Sequence, residues 1–320
     1  MKPRSSGSGR GKNSSGTKRL GAKTGAPRGA KPGAPRSAKQ APRQSLKDRP
    51  KRPAAVRDAH SPRAPRPDQH GLGGAQIEGR QAVRELLIAR KRRAFEVWIS
   101  NDIDDNEVIN DIIELANDQR VPVRRVARKE IEREARSEAP QGVLAMAAPI
   151  PDVDLAYLIG DLASKKPKLL IAVDGVTDPG NLGAILRSCD GAGVDGVILP
   201  RHRAVHITPT AAKSAAGAAE YVPMCVVGGL PTALQQMKDA GVWIVGLHDA
   251  ADKSIFELGS LGDESICLVL GAEGPGLSRL VRERCDVLVN IPMLGALSSL
   301  NVSVAAALAT YEVVRLRSLK

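Results

Sequence analysis

From residue 76 onward, apolar positions recur along the chain in two alternating periods. In 79–90 (GRQAVRELLIAR) Val83, Leu86 and Leu87 share one helical face, with Ile88 beside them. Residues 95–100 (FEVWIS) alternate as a strand. Helical spacing returns over 106–118 through Val108, Ile109, Ile112, Ile113 and Leu115, and 121–126 reads as a second strand. A charged helix over 128–136 and a short strand over 143–147 follow. Together they predict a small α/β domain over 75–148, large enough for its own core.

Residues 149–167 carry prolines, acids and the run SKKPK, and read as a linker that holds a short helix. Strands are then predicted at 168–173, 196–199, 221–227, 242–247, 266–270 and 286–291, with helices at 182–190 and 302–316 among the intervening segments. Most of these strands are continuous apolar runs, as parallel strands covered on both faces must be. Residues 168–320 are therefore predicted to form a parallel α/β domain.

Charge changes the picture only at the N-terminus. The first 70 residues hold 19 Lys/Arg against 3 Asp, and the rest holds 28 against 32 Asp/Glu, so the net +12 divides into +16 and −4. The same 70 residues hold 10 of the 22 prolines and few large apolar side chains. Such a segment buries too little to offset chain entropy, so 1–74 is expected to be a disordered basic arm. Its cations can neutralise phosphates without reading sequence; a solubilising leader with no partner is the plainer alternative.

Several classes are excluded. No stretch approaches the ~20 apolar residues of a membrane-spanning helix, and no apolar core follows the N-terminal charges as in a secretory signal. Cys189, Cys225, Cys267 and Cys285 lie far apart without a C-x-x-C pair, and are expected to be small buried apolar groups in a reducing compartment. A cytoplasmic protein with no membrane contact is expected. Gly191, Gly193 and Gly196 spell G-x-G-x-x-G, but a helix precedes them and a strand follows, the reverse of a dinucleotide-binding loop. They read as a helix cap and turn. His202 and His206 have the spacing of two metal ligands on a helix, yet sit in a basic, Pro-bounded segment without a third ligand, so no metal is expected.

Three segments carry chemistry. After the strand 168–173 comes DGVTDPGNLGAILRSCD (174–190), in which Pro179-Gly180-Asn181 turns the chain and Asn181 can cap the helix that carries Arg187. A surface ion pair with Asp190 is the plain alternative for Arg187. LVLGAEGPGLS (268–278) puts a Gly/Pro loop at the C-terminal end of a parallel strand, where open α/β sheets bind ligands, with Glu273 its one charged side chain. IPMLGALSSLNVSVA (291–305) ends the last strand in another Gly/Pro loop and leads through Ser298, Ser299 and Asn301 into the final helix, which Asn301 can cap.

In order and spacing these three segments resemble the motifs of the SpoU (TrmH-like) family of RNA ribose 2′-O-methyltransferases. TPTAAKSAAGAAEYVP (208–223), IEGRQAVRELL and QGVLA extend the likeness over about 77–320. The resemblance implies a deep trefoil knot formed by the second and third loops, S-adenosylmethionine as cofactor, and a homodimer. It implies that Leu270, Gly271, Ile291, Met293 and Leu300 hold the cofactor through backbone groups. Asn181, Glu273, Ser299 and Asn301 would position the nucleotide and Arg187 would serve the reacting 2′-oxygen. A free guanidinium does not deprotonate near neutrality, so stabilising a developing alkoxide is its favoured role, with proton removal as the other. The small domain resembles that of the ribosomal RNA members and points to a guanosine of 23S rRNA. A transfer RNA, or a non-catalytic RNA-binding or ribosome-assembly role on the same scaffold, are the alternatives.

Overall fold

The computed structural model describes residues 72–160, 166–202 and 206–319. The expected basic arm lies outside the described residues except at its end, where Leu72 is fully buried, Gly74 N–H donates to Ile207 O and Ile207 N–H donates to Leu72 O. The folded unit thus includes 72–74. The sequence pattern hides this, because a single leucine beside glycines shows no period.

The first sheet is built from β1 (Gln76–Glu78), β2 (Ala94–Ser100), β3 (Val123–Val126) and β4 (Val143–Ala147), in the order β1-β4-β2-β3. β4 is antiparallel to β1 and β2, and β2 is parallel to β3. Helices α1 (Arg80–Ala89) and α2 (Glu107–Asp118) bury Val83, Leu86, Leu87, Ile109 and Ile112 against Val97, Ile99 and Ala145. Ile88 turns outward, 40% exposed. Asn106 caps α2, accepting from the Ile109 N–H at 3.1 Å. The short α3 (Arg128–Glu134) follows β3 and buries Ile131.

After α4 (Leu155–Ile159) the chain alternates strand and helix: β5 (Leu169–Val173), α5 (Pro179–Gly191), β6 (Gly196–Pro200), α6 (Pro209–Ala215), β7 (Met224–Val227), α7 (Leu230–Asp239), β8 (Trp243–Leu247). Then come β9 (Lys253–Ser254), β10 (Ile266–Leu270), α8 (Arg279–Arg282), β11 (Val287–Asn290) and α9 (Val302–Ser318). Every pairing in this second sheet is parallel, and the order is β7-β6-β5-β10-β8-β11-β9. Every residue of β5 and β10 is buried, as their continuous apolar runs require. One apolar cluster lies on each face.

Two predicted segments differ. The strand expected at 221–227 begins only at Met224, because Ala218–Glu220 forms a 3-10 turn and Pro223 has no N–H for a ladder. The stretch read as a linker is partly packed: Ile150 N–H donates to Gly73 O, Val153 N–H to Met224 O, and Leu158 on α4 is buried. Of the three glycines in the false dinucleotide pattern, Gly191 and Gly193 end α5 and Gly196 opens β6. Gly193 (φ +66°) donates to Asp190 O and Val194 to Cys189 O, the paired bonds of a Schellman cap. Cys189, Cys225 and Cys267 are buried and Cys285 half-buried, all as free thiols.

The two sheets belong to one compact unit. At their seam the Arg92 guanidinium, 3% exposed, forks onto Glu220, with Nη2 2.5 Å from Oε1 and Nε 2.9 Å from Oε2. Its Nη1 donates to the carbonyls of Gly74 and Ala148. Beside it Tyr221 OH donates to Glu85 at 2.8 Å, and Lys91 Nζ donates to Tyr221 O. These bonds fix the small module against the turn that follows α6.

Candidate active site

β5 and β10 pair in register from Leu169–Ile266 to Val173–Leu270, so their C-terminal ends are level and the loops that leave them are neighbours. From β5 the chain moves outward to β6, and from β10 it moves the other way to β11. Connections that diverge from adjacent strands open a crevice at that edge.

The first loop is tied to the second. Asp174 donates its N–H to Leu270 O at 2.7 Å, and its carboxylate accepts from the Ser278 N–H at 2.6 Å. The second loop closes on itself: Ala272 and Gly276 exchange both backbone bonds, at 3.0 and 2.9 Å. A Cβ on Gly271 would lie 2.3 Å from Gly276 C and 2.5 Å from Leu277 N. The absent side chain is thus required by the loop's own returning backbone.

α5 begins differently from the sequence expectation. Asp178 is its N-cap, accepting from the Asn181 N–H at 2.7 Å, with Pro179 at the first helical position. Asn181 lies inside the first turn. This frees its side chain, and Asn181 Oδ1 accepts a hydrogen bond from Asn301 Nδ2 at 3.0 Å. Asn301 Oδ1 in turn accepts from the Ser303 N–H at 2.9 Å and so caps α9. The N-termini of α5 and α9 therefore meet at one amide–amide contact, bringing the positive ends of two helix dipoles together.

Arg187 is exposed on α5 and makes no hydrogen bond or ion pair among the described residues, so the plain pairing with Asp190 is not formed. It lies six residues, roughly 9 Å, along the axis from Asn181, without touching it. Glu273 and Ser299 are likewise exposed and without described partners. From Ile291 to Leu300 no backbone group bonds to another described residue. Leu294 is 99% exposed and Leu297 75%. Asp174 and Asp178, not singled out from sequence, hold the first motif together. The Asp-Pro step at 178–179 was the readable signal for a cap.

An unpaired run of backbone donors and acceptors suits a ligand with polar edges at both ends, such as a nucleoside joined to an amino acid. Among the described residues no cluster of His, Cys, Asp and Glu is arranged to hold a metal, and no helix is long and apolar enough to cross a membrane.

Fold and site together define an open parallel α/β protein, with its candidate ligand loops at a sheet switch point and an accessory module clasped beside them. Residues 168–311 match the SpoU rRNA Methylase family, and residues 76–153 match the substrate-binding domain of RNA 2′-O ribose methyltransferases. The 23S rRNA (guanosine-2′-O-)-methyltransferase RlmB of Photobacterium profundum is 39% identical over 248 residues, 78% of this chain and all of that protein. RlmB of Pseudomonas putida is 37% identical over 247 residues, 77% of this chain and 98% of its own. Among solved structures, the SpoU methyltransferase AviRb of Streptomyces viridochromogenes in complex with AdoMet superposes with a TM-score of 0.63 at 26% identity. That match covers 76% of this chain and 90% of AviRb. The chain belongs to the SpoU family of S-adenosylmethionine-dependent RNA 2′-O-ribose methyltransferases.

Proposed function

We propose that the protein methylates the ribose 2′-oxygen of a guanosine in 23S ribosomal RNA, in the cytoplasm and as a homodimer. The observation that carries the site assignment is the Asn301–Asn181 bond, which joins the first and third motifs over the ends of β5 and β10. Full-length similarity to two RlmB enzymes supports the substrate. An exposed apolar stripe on α9 (Val304, Leu308 and Tyr311, each 47–49% exposed) supports the dimer.

S-adenosylmethionine supplies an electrophilic methyl group to the ribose 2′-oxygen. Backbone groups at Leu270, Gly271, Ile291, Met293 and Leu300 would hold it, in loops whose second and third segments we read as the walls of a trefoil knot. The placement of β10 between β5 and β8, two strands that both precede it in the chain, supports that reading. Asn181, Asn301, Ser299 and Glu273 orient the nucleotide, so that much of the rate comes from position. As the 2′-oxygen gives up its proton to solvent water, negative charge grows on it. The unpaired Arg187 cation and the two converging helix N-termini stabilise that charge.

The test is methyl transfer from labelled S-adenosylmethionine to ribosomal RNA from cells lacking the gene, with mapping of the modified ribose. Arg187→Ala should lower transfer roughly 100-fold or more while calorimetry shows cofactor affinity unchanged. A parallel loss of cofactor affinity would make Arg187 structural, and a modified ribose outside 23S rRNA would overturn the substrate.

A further inference from the structure

Helices α1 and α2 end side by side, and each end is unusual. Arg90 follows α1 with φ +51° and Arg120 follows α2 with φ +56°, the left-handed conformation that glycine adopts without strain. A cation near a helix C-terminus complements the dipole, but one in the preceding turn would do so without strain. Both arginines instead line the same cleft of about 650 Å³, together with Arg93, Phe95 and Asp118.

The cleft has the chemistry of a nucleic-acid groove. Arg93 and Arg120 have no ion-pair partner among the described residues, and Arg90 has only an exposed contact to Asp118 at 3.7 Å. Phe95 is 40% exposed, and the Arg93 guanidinium lies 5.7 Å from its ring centroid. These cations sit in a chain segment, 71–320, that is net negative, so the patch is local and not a consequence of overall charge.

The cleft is also rigidly placed. Arg92, between the cleft residues Arg90 and Arg93, is buried in the seam on Glu220, and Lys91 bonds to Tyr221 and lies over its ring at 5.5 Å. The turn holding Glu220 packs on α5, the helix of Arg187. One run of four cations therefore serves two ends: Lys91 and Arg92 lock the module to the catalytic domain, while Arg90 and Arg93 face the open cleft.

We propose that this cleft binds an unpaired stretch of the substrate RNA away from the methylated ribose. Arg90 and Arg120 take phosphates, and one base stacks on Phe95 against Arg93. The inference rests on RNA being the substrate, but it is read by binding, whereas the catalytic reading is read by methyl transfer.

The test uses the full-length protein and a fluorescein-labelled decauridylate, followed by anisotropy across a salt series without cofactor. Because the N-terminal arm is present in every variant, its contribution cancels in the comparison. The double variant R90G/R120G removes both side chains and relieves both left-handed positions, so its melting temperature should stay level or rise. Its RNA affinity should fall about tenfold at 0.15 M salt, and the slope of log K against log salt should flatten by roughly 1.4, two phosphate contacts' worth. Phe95→Leu keeps the apolar bulk and removes the aromatic face; it should also weaken binding roughly tenfold, with the slope unchanged. Wild-type affinity and slope in R90G/R120G would overturn the phosphate contacts, and wild-type affinity in Phe95→Leu would overturn the stacking. A fall in melting temperature parallel to the loss of affinity would show that the arginines are structural, and would overturn the proposal.

Discussion

Removing the Arg92 side chain should be among the most damaging single changes outside the ligand loops. Arg92→Ala leaves the Glu220 carboxylate, 5% exposed, with no cation, and withdraws the donor shared by Gly74 O and Ala148 O. An uncompensated buried charge of this kind costs about 3–5 kcal/mol. The two orphaned carbonyls add to that, though not additively, since one side chain served all three acceptors. Against a total stability of about 5–15 kcal/mol, and at roughly 2–4 °C per kcal/mol for a unit of this size, the melting temperature should fall by roughly 6–20 °C. Calorimetry or circular dichroism measures this directly. The double replacement R92M/E220L separates charge from packing: with both charges gone the desolvation cost also goes, and much of the stability should return. An Arg92→Ala variant within 1 kcal/mol of wild type would refute the reasoning, since the seam would then be open to water.

Gly271→Ala should destabilise the second loop and abolish cofactor binding together, because its Cβ would meet the backbone of Gly276 and Leu277; calorimetric binding at wild-type affinity would contradict that geometry. The thiols should resist alkylation at pH 8 in the folded protein, as mass spectrometry can show. Burial raises Cys189 and Cys285 to about 12 and Cys225 to about 11, and pushes Cys267 up as well. Because these folded-state values lie above the thiol's ordinary 9, the thiols should cost no stability below that range and progressively more as pH rises through it. Deleting residues 1–70, which carry +16, should flatten the salt dependence of RNA binding without changing which nucleotide is methylated; an altered methylation site would make the arm a specificity element.

The second sheet was legible because its strands are buried on both faces. β5 and β10 are runs of five buried residues, and such runs announce themselves in sequence. The alternation of β2 and the amphipathic α1 and α2 were readable for the same reason: a local period maps onto one packed face. What escaped is non-local. Arg92 and Glu220 lie 128 residues apart, and nothing in RKRR distinguishes the arginine that will be buried from its solvated neighbours. The order of β10 between β5 and β8 is likewise a pairing choice that hydrophobic runs do not encode. Asn181 was read as a cap because asparagine suits that position. Asp178 holds it instead, since the proline at 179 sets the first helical residue and places the cap one position earlier.

That displacement matters to the chemistry. Had Asn181 capped α5, its carboxamide oxygen would be spent on a backbone N–H of its own helix and could not accept from Asn301. With Asp178 in that place, the amide reaches across to the start of α9, whose own cap is Asn301. A change at Asp178 would then release the Asn181 side chain to fold back onto its helix, and the contact between the first and third motifs would open without any alteration to either asparagine. Similarly, Asp174 ties the first motif to the second through Ser278 rather than through any ligand. The three segments therefore hold one another before they hold anything else. Ser278 of the second segment and Asn301 of the third are placed by a carboxylate and an amide of the first, so the geometry of these loops depends on side chains within the three segments themselves.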